Sequence, residues 1–165
     1  MIDEGREERN RASVTDVIRR QDWDALDFSG QGLRAIARPV FVQFQFLRRL
    51  FLDHNNLHQL SPSIGQLRLL SHLDVSDNNI SEVPPEIGML VNLKEFLLFD
   101  NQITAFPSEI GHLYKLEFLG IEGNPLDHLT ESRINTEGTG AFIDQERERH
   151  RKSFYVLCEM IKEVR

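Results

Sequence analysis

Two residue types that staple or mark many small proteins are nearly absent from this chain of 165 residues: it has one cysteine, Cys158, and one tryptophan, Trp23. A lone thiol forms no internal disulfide and builds no thiolate metal site, which excludes a disulfide scaffold and suits a reducing compartment. With 10 Gly and 6 Pro the composition is not that of a collagen-like or low-complexity chain. Apolar runs are short. None approaches the ~18 residues that a membrane span requires, so no membrane association is expected. The opening stretch is acidic at Asp3, Glu4, Glu7 and Glu8, where a secretory signal needs a basic flank and then an apolar core. Export is therefore not expected, the sequon Asn79-Ile80-Ser81 reads as a chance match, and the expected location is cytoplasmic and nuclear.

Positive charge is also in deficit: 19 Lys and Arg stand against 26 Asp and Glu, for a net charge of −7. Residues 1–21 are neutral and 144–165 carry +1, so residues 22–143 hold −8. A nucleic-acid groove draws most of its affinity from Lys and Arg at phosphates, and this central region repels phosphate on balance. What remains, at 40% hydrophobic and 27% charged, is the composition of an ordinary folded domain.

The dominant signal is a repeat. Leu47, Leu70, Leu93 and Leu116 are spaced by 23 residues, and the same step links Asn55, Asn78, Asn101 and Asn124. It also links Ile64, Ile87 and Ile110, Gly65, Gly88 and Gly111, and Leu67, Leu90 and Leu113. One unit reads Leu47-Arg48-Arg49-Leu50-Phe51-Leu52-Asp53-His54-Asn55-Asn56-Leu57, the leucine-rich-repeat spelling Leu-x-x-Leu-x-Leu-x-x-Asn-x-Leu. The pairs Leu50/Leu52, Leu73/Val75, Phe96/Leu98 and Leu119/Ile121 are two apart, so each pair faces one side of a short strand and fills a core. The asparagine that follows sits where the chain turns inside the coil, where its amide satisfies backbone groups that lack partners. Pro62, Pro84 and Pro107 stop the strands, and Ile-Gly-x-x-Leu returns the chain through a short helical or irregular turn. The glycine column is read as serving these convex turns.

These features predict an α/β solenoid, a horseshoe arc with one short parallel strand per repeat on its concave face and helical caps. Residues 1–22 are expected to be a tail and capping helix, 23–129 five repeats, and 130–165 a C-terminal cap and charged amphipathic helix. The first unit is irregular, with Gln31 in the Asn slot and one extra residue before Leu47. Val14, Val17 and Ile18 share a helical face behind Ser13, so residues 12–21 suit the N-terminal cover. At the other end Phe154, Leu157, Cys158, Ile161 and Val164 share a face that reads as a capping helix or a partner-binding one.

Beyond the generic signature, several stretches resemble one family. They are Leu26-Asp27-Phe28-Ser29-Gly30-Gln31-Gly32-Leu33-Arg34-Ala35, Ile64-Gly65-Gln66-Leu67-Arg68, Pro85-Glu86-Ile87-Gly88-Met89-Leu90, Leu97-Leu98-Phe99-Asp100-Asn101 and Leu119-Gly120-Ile121-Glu122-Gly123-Asn124-Pro125-Leu126. Together they are similar to the leucine-rich-repeat region of the fungal carbon catabolite repressor (Ccr-type) deadenylase, a poly(A)-specific 3′-exoribonuclease of the Ccr-Not complex. The resemblance covers about residues 23–142, and residues 137–143 resemble the segment that leads toward the nuclease in that family. It implies a module that docks the Caf-type (Pop-type) deadenylase and through it the Ccr-Not scaffold, in mRNA decay. Family members continue into a magnesium-dependent nuclease domain. The 36 residues after the last repeat are too few for one, so this chain is expected to be non-catalytic and without cofactor. Two other readings stay open: the recruiting fragment of an active exoribonuclease, and a generic intracellular signalling scaffold.

Binding is expected on the concave side, at the outward residues that flank each core pair. The candidates are Arg49, Phe51, Asp53, His72, Asp74, Glu95, Leu97, Phe99, Asp100, Phe118 and Glu122. With neighbouring strands ~4.8 Å apart, Leu97, Phe99 and Phe118 should form one patch rimmed by Glu95, Asp100 and Glu122, with Phe51 two units away. Exposed aromatic and aliphatic groups with a charged rim are the usual anatomy of a protein interface. His54 and His58 fall in a turn with no third ligand nearby, so no metal site is expected there. Asp53, Asp74, Asp77 and Asp100 read as a solvated acidic face.

Overall fold

A computed structural model of the chain describes residues 24–132, 134, 138 and 140–149. The helices expected at 12–21 and on the Phe154–Val164 face lie outside the described residues. Five strands, β1 (Ala25–Asp27), β2 (Arg49–Phe51), β3 (His72–Asp74), β4 (Glu95–Leu97) and β5 (Phe118–Gly120), form one parallel sheet in the order of the chain. Its register is the repeat itself: Leu26, Leu50, Leu73, Phe96 and Leu119 stand side by side across the sheet. Equal repeat length makes this unavoidable, because in a parallel coil a fixed offset in sequence is a fixed neighbour in space.

Each strand is three residues long, because the core column on either side of the coil must be reached within one turn. The inward side chains Leu50, Leu52, Leu73, Val75, Phe96 and Leu98 are fully buried, and the convex Ile64, Leu67, Ile87, Leu90, Ile110 and Leu113 close on them from the other side. Burying one such side chain contributes about 1.5–3 kcal/mol, so the stacked columns are the main stabilising term.

The asparagines bind the coil together along its length. The Asn78 carbonyl oxygen accepts from Leu57 N–H of the preceding unit, and its amide donates to the carbonyls of Leu52, Val75 and Ser76 at 3.0 Å. Asn55, Asn101 and Asn124 repeat the arrangement. Gln31 does not join it; its amide turns back to the Ser29 carbonyl at the surface. The residue before each asparagine turns the corner with positive φ: His54, Asp77 and Asp100 at 53°, 51° and 48°, then Gly123 at 79°. Asp is tolerated there better than most residues.

On the convex side, Pro62–Gln66, Pro85–Met89 and Ser108–His112 are 3-10 turns, each closed by a bond from the leucine N–H that follows to the column isoleucine carbonyl. The glycines in them have a different purpose from the one expected. Gly65, Gly88 and Gly111 are absent from the positive-φ residues; Gly65 and Gly88 lie where the next coil presses in, and Gly111 where the helical residues after the last unit do. A Cβ on Gly88 would stand 2.6 Å from the Glu109 carbonyl oxygen. Close packing, and not backbone freedom, requires them. In the first unit the extra residue is absorbed by a wider-wound element, α1 (Arg38–Gln43), in which Phe44 N–H reaches back four residues to Val40 instead of three.

The last unit leaves the repeat early. Leu129, in the column of Leu60 and Val83, is 75% exposed, because residues 128–132 are already helical. Asp127 caps that start by accepting from Thr130 N–H at 2.7 Å. The helical residues 140–149 then cover the end of the coil with Phe142 and Ile143, which join the core, and the Phe142 ring meets Phe106 edge-on at 6.0 Å. Arg147 donates to the Leu113 carbonyl at 2.8 Å, and Gly111 lies against the Glu146–Arg147 backbone as Gly88 lies against the next coil. Residues 140–149 thus take the place that the convex turn of a further repeat would occupy.

Candidate functional site

The outward residues of the sheet fall into two groups. On β4 and β5, Leu97 and Phe99 are half-buried and Phe118 is 51% exposed, with the Phe99 and Phe118 ring centroids 6.4 Å apart. Gly120 is the reason for this seat. It stands beside Leu97 in the register, and a Cβ there would run into the Phe99 ring, so the missing side chain lets Phe99 lie flat on β5. The expected patch therefore forms, with Phe118 as its most accessible member. Its rim is acidic at Glu95, Asp100 and Glu122, all exposed.

The second group, on β2 and β3, is partly polar. Phe51 packs on the His72 ring at 5.0 Å, and His72 Nδ1 lies 2.7 Å from the Glu95 carboxylate. Among the described residues His72 Nε2 is buried without a partner. Arg49 turns away to Asp24 at 2.9 Å, and its guanidinium hydrogen bond holds the Asp24 carboxyl below its ordinary value. Asp74 is half-occupied with its own backbone, accepting from Ser76 N–H at 2.9 Å.

Two of the acidic candidates have structural work as well. Asp53 accepts from the Ser29 hydroxyl and stands 2.9 Å from His54 Nδ1. Burial pushes its carboxyl up, but the Ser29 and His54 hydrogen bonds outweigh that and leave it below the ordinary carboxylate value. The bond to Asp53, reinforced by the charge of Asp77 at 3.5 Å, raises the His54 imidazole. Glu122 takes a 3.2 Å bond from Ile121 N–H. His54 thus belongs to an exposed ion pair and not with His58, which bonds the Asn56 carbonyl. Among the described residues no three His, Cys, Asp or Glu side chains converge in a metal-binding arrangement.

Arg49, Phe51, His72, Asp74, Glu95, Leu97 and Phe118 lie on β2 to β5 in the rows that the repeat spacing predicts, whereas two features do not follow from it, the seat at Gly120 and the His54–Asp77 contact. The first was legible as a break in the column Phe51, Asp74, Leu97, where a residue with no side chain follows three with large or charged ones. The second depends on the positive-φ corner that throws His54 toward the next unit, and no residue pattern announces it.

Comparison with known proteins agrees with this geometry. Residues 34–134 match the family described as leucine-rich repeat region. The CCR4-Not complex 3'-5'-exoribonuclease subunit Ccr4 of Coccidioides immitis (strain RS) is 66% identical over 139 residues, which is 84% of this chain and 18% of that protein. The subunit of the same name from Aspergillus terreus (strain NIH 2624 / FGSC A1156) is 64% identical over 144 residues, 87% of this chain and 21% of that one. The chain spans about a fifth of the length of these relatives. Among solved structures, a leucine-rich-repeat protein of Leptospira interrogans superposes with a TM-score of 0.58 at 33% identity, covering 62% of this chain and 26% of that one. The chain belongs to the leucine-rich-repeat family, and over most of its length it is similar to the fungal Ccr4 subunits.

Proposed function

We propose that this chain is a protein-binding module that docks a Caf-type deadenylase within the Ccr-Not machinery of mRNA decay, in the cytoplasm and nucleus. The observation that supports it is the apolar seat of Leu97, Phe99 and Phe118 on the concave face of a scaffold that is 66% identical to a Ccr4 subunit. Exposed aromatic groups ringed by charge supply the anchors of an interface, because they bury much area at little cost in side-chain entropy. The acidic rim favours a partner with basic groups at its edge and opposes direct contact with nucleic acid. The module itself catalyses nothing in this reading; it positions its partner.

The test is a calorimetric titration of the purified chain with the Caf-type deadenylase from the same source, run beside Phe99→Ala and Phe118→Ala. Each substitution should weaken binding about ten- to hundredfold, corresponding to about 1–3 kcal/mol. Equal affinity for wild type and both variants would move the site elsewhere, and no binding by the wild type would leave only the generic scaffold. A second reading rests on length: because the chain covers 18% of the Ccr4 relative, it fits the recruiting part of a longer poly(A)-specific exoribonuclease. A transcript continuing in frame into a metal-binding nuclease would establish that reading.

A further inference from the structure

We infer that the convex side carries a second docking groove, whose occupant is a short acidic segment of another protein that presents a large apolar side chain. The groove, of about 780 Å³, runs over the second convex turn from the first unit to the third, and Gln45, Phe46, Gly65, Arg68, Leu69 and Met89 line it. A break in the glycine column opens it. Where Gly65 and Gly88 let the next coil press in, the first unit has Val42, and α1 rests on the second turn less closely than that turn rests on the third. On the other flank a Cβ at Gly65 would stand 2.8 Å from the Met89 sulfur, so the missing side chain lets the thioether lie down on the turn as a wall of the groove. Leu69 and Met89 are each 44% exposed, and the apolar strip continues onto the next two units with Val91 at 42% and Tyr114 at 65%. Large apolar side chains this open, following one another from unit to unit, mark a surface that another molecule covers.

Charge selects that molecule. The chain as a whole carries −7, and its concave face presents Asp53, Asp74, Glu95, Asp100 and Glu122. The three convex columns that meet at the groove, those of Gln66, Arg68 and Leu69, instead hold Arg68 and Lys115 and no acidic residue from the first unit to the fourth. The convex carboxylates Glu86 and Glu109 stand in another column, where the groove's own unit has Ser63. Lys115 donates to the Asn92 side chain at 2.7 Å, and Asn92 donates to the Arg68 carbonyl at 2.8 Å. The Arg68 main chain is thereby held, while its exposed guanidinium has no partner among the described residues. A fork of charged donors beside an apolar wall takes a carboxylate that neighbours an aliphatic or aromatic group, and a methionine adapts its shape to that group. A second copy of this chain suits the groove less well, because its own net negative charge opposes close approach. The groove lies on the other side of the coil from the Phe118 seat, so the two can be filled at once.

Selection of random phage-displayed peptides, about twelve residues long, on the immobilised full chain tests this. The enriched peptides should carry a large apolar residue close to two or more acids. Arg68→Glu should weaken their binding about tenfold or more and Leu69→Ser about fivefold, Arg68→Lys should keep most of it, and Phe118→Ala should leave it unchanged. Added salt should weaken it as well, because the charge contact is exposed. Both groove positions are exposed, so each variant should melt with the wild type. If no enriched peptide loses affinity with Arg68→Glu and Leu69→Ser, or if those that do are no more acidic than the starting library, the assignment is overturned. Light scattering that shows a wild-type dimer dissolved by Leu69→Ser would overturn it too, since the occupant would then be a second copy.

Discussion

The first and fifth units carry the same kinds of apolar residue in the same columns, yet they are buried unequally. Leu119 and Ile121 are 5% exposed in the core that Phe142 and Ile143 join, while Leu26 and Phe28 stay half-buried on the edge of the sheet. Burial in a coil of this kind is conferred by the next layer, not by the residue. A solenoid is therefore stabilised by its interfaces, and each end is only as stable as what covers it. The concave face shows the converse. There the two halves have the same layers, but one presents an aromatic seat and the other a His–Glu pair, because outward positions are free of the packing demand that fixes the inward ones.

The sharpest way to break the comparison is to remove the same side chain from an interior and a terminal layer. Leu73→Ala, in the middle of the sheet, should cost about 2–5 kcal/mol, and Leu26→Ala at its edge clearly less, measured by urea unfolding of each variant. Equal losses would mean that the edge is as fully packed as the centre. The asparagine ladder gives the next contrast. Asn78→Ala leaves Leu57 N–H unpaired inside the coil and takes one of two donors from the Leu52 and Val75 carbonyls, which keep Asn55 and Asn101, and should cost about 1–3 kcal/mol. Gln31→Ala, at the same position in the first unit, should stay within about 0.5 kcal/mol, since Gln31 makes only a surface bond. A melting curve indifferent to Asn78→Ala would remove the ladder from the stability account.

The C-terminal cover is tested with two glycines. A Cβ on Gly111 would sit 2.6 Å from the Arg147 nitrogen and must push residues 140–149 off the coil, so Gly111→Ala should destabilise by about 1–3 kcal/mol. Among the described residues nothing lies within 4 Å of a Cβ added to Gly140, which is in a helical stretch, so Gly140→Ala should be neutral or stabilise by up to about 1 kcal/mol. If the two substitutions melt alike, residues 140–149 do not bear on the coil.

The sheet, its order and its register were all legible beforehand, because the 23-residue period converts directly into neighbours: Arg49, His72, Glu95 and Phe118 had to share a row, and they do. The concave patch was legible for the same reason. What the period could not convey is anything set by one coil pressing on the next. Gly88 looks like a turn residue until the Glu109 carbonyl is seen against it. Phe142 and Ile143 lie outside the repeat, so no column marks them as core, and the extra residue of the first unit has no address until α1 absorbs it.

The smallest effect concerns the corner between the second and third units. His54 is raised chiefly by its hydrogen bond to Asp53 and next by the charge of Asp77, so the folded chain holds its proton more tightly than the unfolded chain does. That contribution is complete below the ordinary histidine value of about 6.5 and is lost as pH rises through the raised value. Asp53 has the opposite sign: its lowered carboxyl stabilises above the ordinary value of about 4 and ceases to do so as acid protonates it. The pair is therefore worth most between these limits. His54 is 68% exposed at its side chain, so screening keeps the gain small. His54→Asn keeps a residue that tolerates positive φ and removes the charge, so the melting temperatures of wild type and variant should converge as pH rises from about 6 to 8. A gap that does not change with pH would show that His54 serves the corner by its backbone alone.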